Sequence, residues 1–156
     1  MNSLRMPGHV IRRLHQRSTQ VFAQRTLAAG LDLTSVQFAA LDAIAAHPGA
    51  DQATIAQLIA FDRATIGGVV DRLLQKGWIR RGVSPTDRRA RVLDLTPEGQ
   101  QILGQLLPVV EDLQLTLLEN LSPAERDSFM ALSRKILGNA IASTSVETAA
   151  PVPESE

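Results

Sequence analysis

The residues best equipped for chemistry in this chain are arginines, gathered around one short stretch. Arg80-Arg81 and Arg88-Arg89-Ala90-Arg91 lie on either side of the polar run Ser84-Pro85-Thr86-Asp87. Guanidinium groups are rigid forks of donors that match phosphate oxygens, so such a cluster suits a phosphate-bearing partner. Catalysis is poorly provided for. His9, His15 and His47 sit in unrelated contexts, no His or carboxylate pair has metal-ligand spacing on a helix, and no glycine-rich phosphate loop follows a strand. The sequence has no cysteine, which excludes disulfides, thiolate-bound zinc and thiol redox sensing. Neither an enzyme nor a metal or other cofactor is expected.

The net charge of zero argues at first against a nucleic-acid partner, but the charge is segregated. Residues 1–30 carry five arginines and no acid, and residues 31–62 carry four aspartates and no base. Residues 63–93 hold eight bases against Asp71 and Asp87, and the remainder holds ten acids against three bases. Because salt screens distant compensating charge, a basic block on one module is sufficient for phosphate binding. With one Trp, four Phe and no Tyr, a stacking platform for single strands is not supported. No signal-peptide core and no apolar run long enough to span a bilayer appears, so the reading is a cytoplasmic protein without a membrane partner.

The elements that must position the arginines are mostly helical. Pro7-Gly8 opens a segment with Val10, Ile11, Leu14, Val21 and Phe22 at helical spacing, closed by Gly30. Thr34 with Gln37 forms a capping box ahead of Val36, Phe38, Leu41 and Ile44. Asp51 and Asp62 can cap two further helices, separated by only Ala60-Phe61-Asp62, which is helix-turn-helix spacing. The inner face of the second is Ile66, Val69, Val70 and Leu73. After Gly77 the period changes, and residues 78–83 and 91–95 read as a hairpin, a two- or three-stranded β wing. Thr96-Pro97 starts a long helix that Pro108 should kink, and Ser122 with Glu125 caps a last one. From Ser143 onward the composition predicts a disordered tail, residues 143–156.

The fold class is therefore mainly α with a small β wing, a winged helix-turn-helix over residues 34–96. Residues 1–33 and 97–142 carry wide apolar stripes that a small winged helix cannot cover. They are predicted to form the dimerisation layer of a twofold homodimer, the alternative being an intramolecular helical hairpin.

From about Pro7 to Ala142 the chain resembles the MarR-type winged-helix transcriptional regulators. The most specific marks are Asp62-Arg63-Ala64-Thr65-Ile66-Gly67-Gly68-Val69-Val70-Asp71-Arg72-Leu73, Lys76-Gly77-Trp78, and Asp87-Arg88-Arg89 with Leu95-Thr96-Pro97-Glu98-Gly99 downstream. The resemblance implies a double-stranded DNA operator as partner and repression as the outcome. It makes Arg89 the wing-tip residue of the minor groove, where narrow walls concentrate negative potential. Asp87 then braces the wing, and Arg88 and Arg91 are phosphate contacts or solvated charge.

Recognition falls to the second helix of the pair, through Arg63, Ala64, Thr65 and Arg72. Gly67 and Gly68 stand where many members carry a hydroxyl residue and a large basic one. Bare backbone there either lets the helix sit deeper in the groove or is a neutral loss.

Family members commonly release DNA when a small aromatic acid occupies a crevice beside the dimer layer. His15, Arg17 and Ser18 are candidates to grip its carboxylate, with the ring on Phe22 or Phe38; alternatively His15 is a core histidine and the arginines pair with acids of the last two helices. The rival class is a winged-helix protein-interaction module that binds no DNA, which would not require a basic wing.

Overall fold

Side chains set most of the helix starts, by satisfying the free amides of the first turn. The structure, a computed structural model, describes residues 6–83 and 91–138, with Arg63 and Ala64 described by backbone alone. Asp87, Arg88 and Arg89 and the tail 143–156 lie outside the described residues. In chain order the elements are α1 (Pro7–Ala28), α2 (Ser35–Ala46), α3 (Gln52–Leu58), α4 (Arg63–Gln75), β1 (Ile79–Val83), β2 (Arg91–Leu95), α5 (Pro97–Leu117) and α6 (Pro123–Leu137). Thr34 Oγ1 accepts from the Gln37 amide at 3.3 Å while Gln37 Oε1 accepts from the Thr34 amide at 3.0 Å, the reciprocal box the sequence predicts. Asp51 accepts from Thr54 N at 2.8 Å and Asp62 from Thr65 N at 2.9 Å. Pro7 needs no such partner for its own nitrogen, because at the first helical position it has no N–H to satisfy.

The strands pair antiparallel with Ile79 opposite Leu95 and Val83 opposite Arg91. Leu93 N also donates to Ala50 O at 2.9 Å and Asp51 bridges Val92, so among the described residues a third edge is present as a single bridge. The hairpin is closed at its base by a small lock. Gly77 turns with φ +71°, Thr96 Oγ1 donates to Gly77 O at 2.6 Å and accepts from Gly99 N at 3.0 Å. A Cβ on Gly99 would lie 1.9 Å from the Trp78 carbonyl oxygen, so only glycine lets α5 start this close to the strand.

Residues up to Glu119 form one compact unit. Its core joins Leu41 and Ile44 of α2, Ile55 of α3, Ile66, Val70 and Leu73 of α4, Leu93 of β2 and Leu106 of α5, all essentially without solvent contact. Three of the four residues predicted for the inner face of α4 are thus fully buried, and Val69 is half-buried. Helix α1 packs along α5 but contributes Val21, Phe22 and Thr26 from its C-terminal half only. Val10, Ile11 and Leu14 in its first half remain 47%, 55% and 42% exposed. Helix α5 runs through Pro108 as one helix.

The described residues from Asn120 to Gly138 belong to a second unit. There the Glu125 carboxylate accepts from Ser122 N at 2.8 Å and Ser122 Oγ at 2.7 Å. The hydroxyl bond first and the amide bond second hold the acid below its ordinary pKa. Helix α6 has no buried residue, and Met130, Leu132, Ile136 and Leu137 are exposed on it.

Candidate nucleic-acid interface

Helix α3 ends and α4 begins within a turn that places Ala60 at φ +53°, with Phe61 N bonded back to Ala56 O at 2.9 Å. Asp62 then grips Thr65 twice, at the amide (2.9 Å) and at the hydroxyl (2.6 Å). The Thr65 proton is therefore committed to the cap, and what the exposed side chain offers outward is a methyl group and an acceptor oxygen. The first turn of α4 contains the backbone of Arg63 and Ala64, whose side chains lie outside the described residues. Gly67 and Gly68 are not equivalent. A Cβ on Gly68 would meet nothing within 4 Å, whereas one on Gly67 would touch Gln52 Nε2 at 3.8 Å.

The wing is tied to this helix by charge. Arg81 Nη2 donates to Asp71 Oδ1 at 3.0 Å, joining β1 to the third turn of α4. Within the hairpin Arg80 faces Asp94 at 3.9 Å, and Asp94 Oδ1 also accepts from Gly49 N at 3.2 Å. Lys76 Nζ lies 4.6 Å from the centre of the Trp78 ring and donates to Asp32 O at 2.5 Å, linking the end of α4 to the α1–α2 connection. Exposed pairs of this kind add little stability, about 0–1 kcal/mol each, so what they supply is orientation. Asp71, an acid within the basic block of residues 63–93, is thus the residue of α4 that meets the wing. The side chains of Arg72 and Arg91 are exposed and make no hydrogen bond or ion pair among the described residues.

The effector candidates are not brought together. A crevice of about 540 Å³ lies between the C-terminal half of α1 and α4, with Thr19, Phe22, Thr26, Phe61, Val69 and Arg72 on its walls. Of the five residues predicted, Phe22 alone lines it, packed against Phe38 with ring centres 6.0 Å apart and tilted 43°. His15 is exposed and Ser18 half-buried. Arg17 donates to Glu119 at 3.0 Å, and Arg25 reaches Asp112 at 3.4 Å and Thr116 Oγ1 at 2.7 Å. Pairing of α1 arginines with acids near the chain's last helices, one of the two sequence readings, is what these contacts show. The crevice wall itself was missed. Thr19 directly follows Ser18 and Thr26 lies about two turns further along the same helix, and nothing in their type marks them as lining.

A winged helix-turn-helix with a capped recognition helix and a basic hairpin defines a class of DNA-binding regulators, and the comparisons with known proteins agree. Residues 31–90 match the MarR family. The chain is 33% identical over 130 residues to the HTH-type transcriptional repressor NicR of Pseudomonas putida, covering 83% of this chain and 81% of that protein. BpsR of Bordetella bronchiseptica, whose DNA binding is regulated by 6-hydroxynicotinic acid, has a structure alike at TM-score 0.81 and 29% identity, over 87% and 96% of the two chains. A variant of Escherichia coli MarR complexed with operator DNA is alike at TM-score 0.80 and 26% identity, over 88% and 100%. The chain belongs to the MarR family of winged helix-turn-helix transcriptional regulators.

Proposed function

We propose that the protein is a homodimeric repressor that binds a pseudo-palindromic operator and is released from it by a small aromatic carboxylate or its thioester. The observation that carries the DNA-binding part is the clamp between Asp71 and Arg81, which fixes a basic hairpin against α4 while Arg72 and Arg91 stay unpaired among the described residues. In this reading Arg63, Ala64 and Thr65 meet base edges, and Gly67 and Gly68 allow close approach of the backbone. Arg72, Arg88 and Arg91 meet phosphates, Arg89 enters the minor groove and Asp87 braces the tip.

Dimerisation through residues 1–33 and 97–142 accounts for the exposed Val10, Ile11 and Leu14 of α1, and for Leu107 and Leu115 of α5 at 41% and 60% exposure. Two recognition helices about one turn of DNA apart, roughly 34 Å, then meet successive major grooves. The effector part is supported by BpsR, which responds to 6-hydroxynicotinic acid, and by the crevice with Phe22 on its wall. Arg17 would exchange Glu119 for the effector carboxylate, with His15 and Ser18 beside it and Phe38 behind Phe22. Occupancy acts by favouring a separation of the recognition helices that no longer fits the groove.

A mobility shift with duplex from the protein's own promoter region, titrated with benzoate, hydroxybenzoates and their thioesters, tests both parts. A retarded complex that one of these compounds dissolves is the expected result. Absence of any complex at low salt ends the DNA reading, and a complex indifferent to every compound ends the effector reading.

A further inference from the structure

Gly67 stands in the part of α4 that a helix-turn-helix offers to base edges, yet it has no side chain to offer. The space is not empty. Gln52 Nε2, from the first turn of α3, lies 3.8 Å from where a Cβ on Gly67 would be. Gln52 also borders a concavity of about 400 Å³ whose other walls are Arg81, Gly82, Val83 and Arg91, at the end of the paired strands away from the Gly77–Thr96 base. Among the described residues its carboxamide makes no hydrogen bond, although it has both donors and an acceptor to satisfy.

We infer that Gln52 is a sequence-reading residue, its carboxamide projecting past Gly67 into the major groove in place of a side chain at position 67. The inference rests on α4 being the DNA-reading helix. A carboxamide can bond N6 and N7 of adenine together, a pairing that no other base presents in the major groove. The neighbouring cations favour approach of the duplex to this concavity, since Arg91 is unpaired among the described residues and Arg81 is held in place by Asp71. Gly67 has a role in this arrangement: a Cβ there would already be in van der Waals contact with the amide nitrogen, so a long side chain would compete with the amide for the space in front of α4. The first helix of the pair thereby contributes to readout, through a residue that no motif of the second helix includes.

Selection of duplexes from a randomised pool by the full chain, followed by anisotropy titrations, tests this. Gln52→Ala is expected to bind the wild-type consensus about tenfold more weakly, to bind unselected duplex as before, and to keep the same salt slope because no charge is lost. Its own selection should lose one adenine preference in each half-site. Gln52→Glu should move that position toward cytosine, whose N4 amine donates to a carboxylate. Gly67→Leu, which crowds the amide and leaves Gln52 unchanged, should reproduce the loss. Thermal melting of each variant close to wild type shows that the fold is kept; if Gln52→Ala melts early, Gln52→Glu carries the comparison. An unchanged consensus for Gln52→Ala, or an equal loss on all duplexes, overturns the assignment and leaves α4 as the reader. A wild-type protein that selects no sequence overturns both.

Discussion

Helix α4 and the first half of α1 read alike in the sequence, as amphipathic helices rich in arginine, and they end in opposite situations. Ile66, Val70 and Leu73 of α4 are buried to 1% exposure or less, and the acid beside them, Asp71, is tied to Arg81. Val10, Ile11 and Leu14 of α1 are exposed at 42% or more. Helical spacing tells that a face is built to be covered, and it does not tell by what. In α4 the cover is α2, α3 and β1 of the same chain, which backs the side proposed to face DNA. In α1 the exposed stripe fits the proposal that a second copy completes it.

The contrast can be broken at several points. The largest effect is expected at the junction that sets the hairpin against α5. Gly99→Ala forces a Cβ onto the Trp78 carbonyl and should cost about 3 kcal/mol in urea denaturation, as overpacking against backbone does. Unchanged stability would show that this contact yields easily. Next, if a second copy covers α1 as proposed, Ile11→Glu combined with Leu14→Glu should shift the protein from dimer to monomer in sedimentation while the unfolding transition of the winged helix persists. A dimer that survives both charges removes α1 from the interface. Asp71→Asn should weaken operator binding several-fold, by freeing Arg81, with stability changed by no more than about 0.5 kcal/mol because the pair is exposed.

The smallest effect concerns Glu125. Its pKa is lowered in the fold, so its contribution is present above the unfolded pKa and is lost as pH falls through the lowered value, below the ordinary carboxylate range. Melting temperature of the wild type should therefore fall slightly more steeply with acid than that of Glu125→Gln. Parallel curves would show that the Ser122 bonds do not persist in solution.

What was legible in the sequence is what neighbours in sequence decide. Thr34 with Gln37, Asp51, Asp62 and Thr96 mark helix starts because a cap and its amide are three residues apart. The hairpin was visible as a change of period after Gly77. Pairs made by the fold left no such trace: Arg17 meets Glu119 across 102 positions, and Lys76 meets Asp32 across 44. Ala60 gives no sign that it adopts a left-handed conformation, since alanine is not selected for it. Gly99 reads as the third residue of a helix, and only its closeness to Trp78 explains the glycine. His15, Arg17, Ser18, Phe22 and Phe38 were grouped by residue type as one ligand site, but α1 is buried only in its second half, and of these five just Phe22 reaches the crevice.

The division of labour between α4 and the wing is tested most directly by titrating Arg89→Ala and wild type with the selected operator at two salt concentrations. The wing assignment predicts weaker binding and a salt slope shallower by about 1, because one fewer cation displaces counterions from the DNA. Equal affinity and equal slope for the two proteins would contradict it.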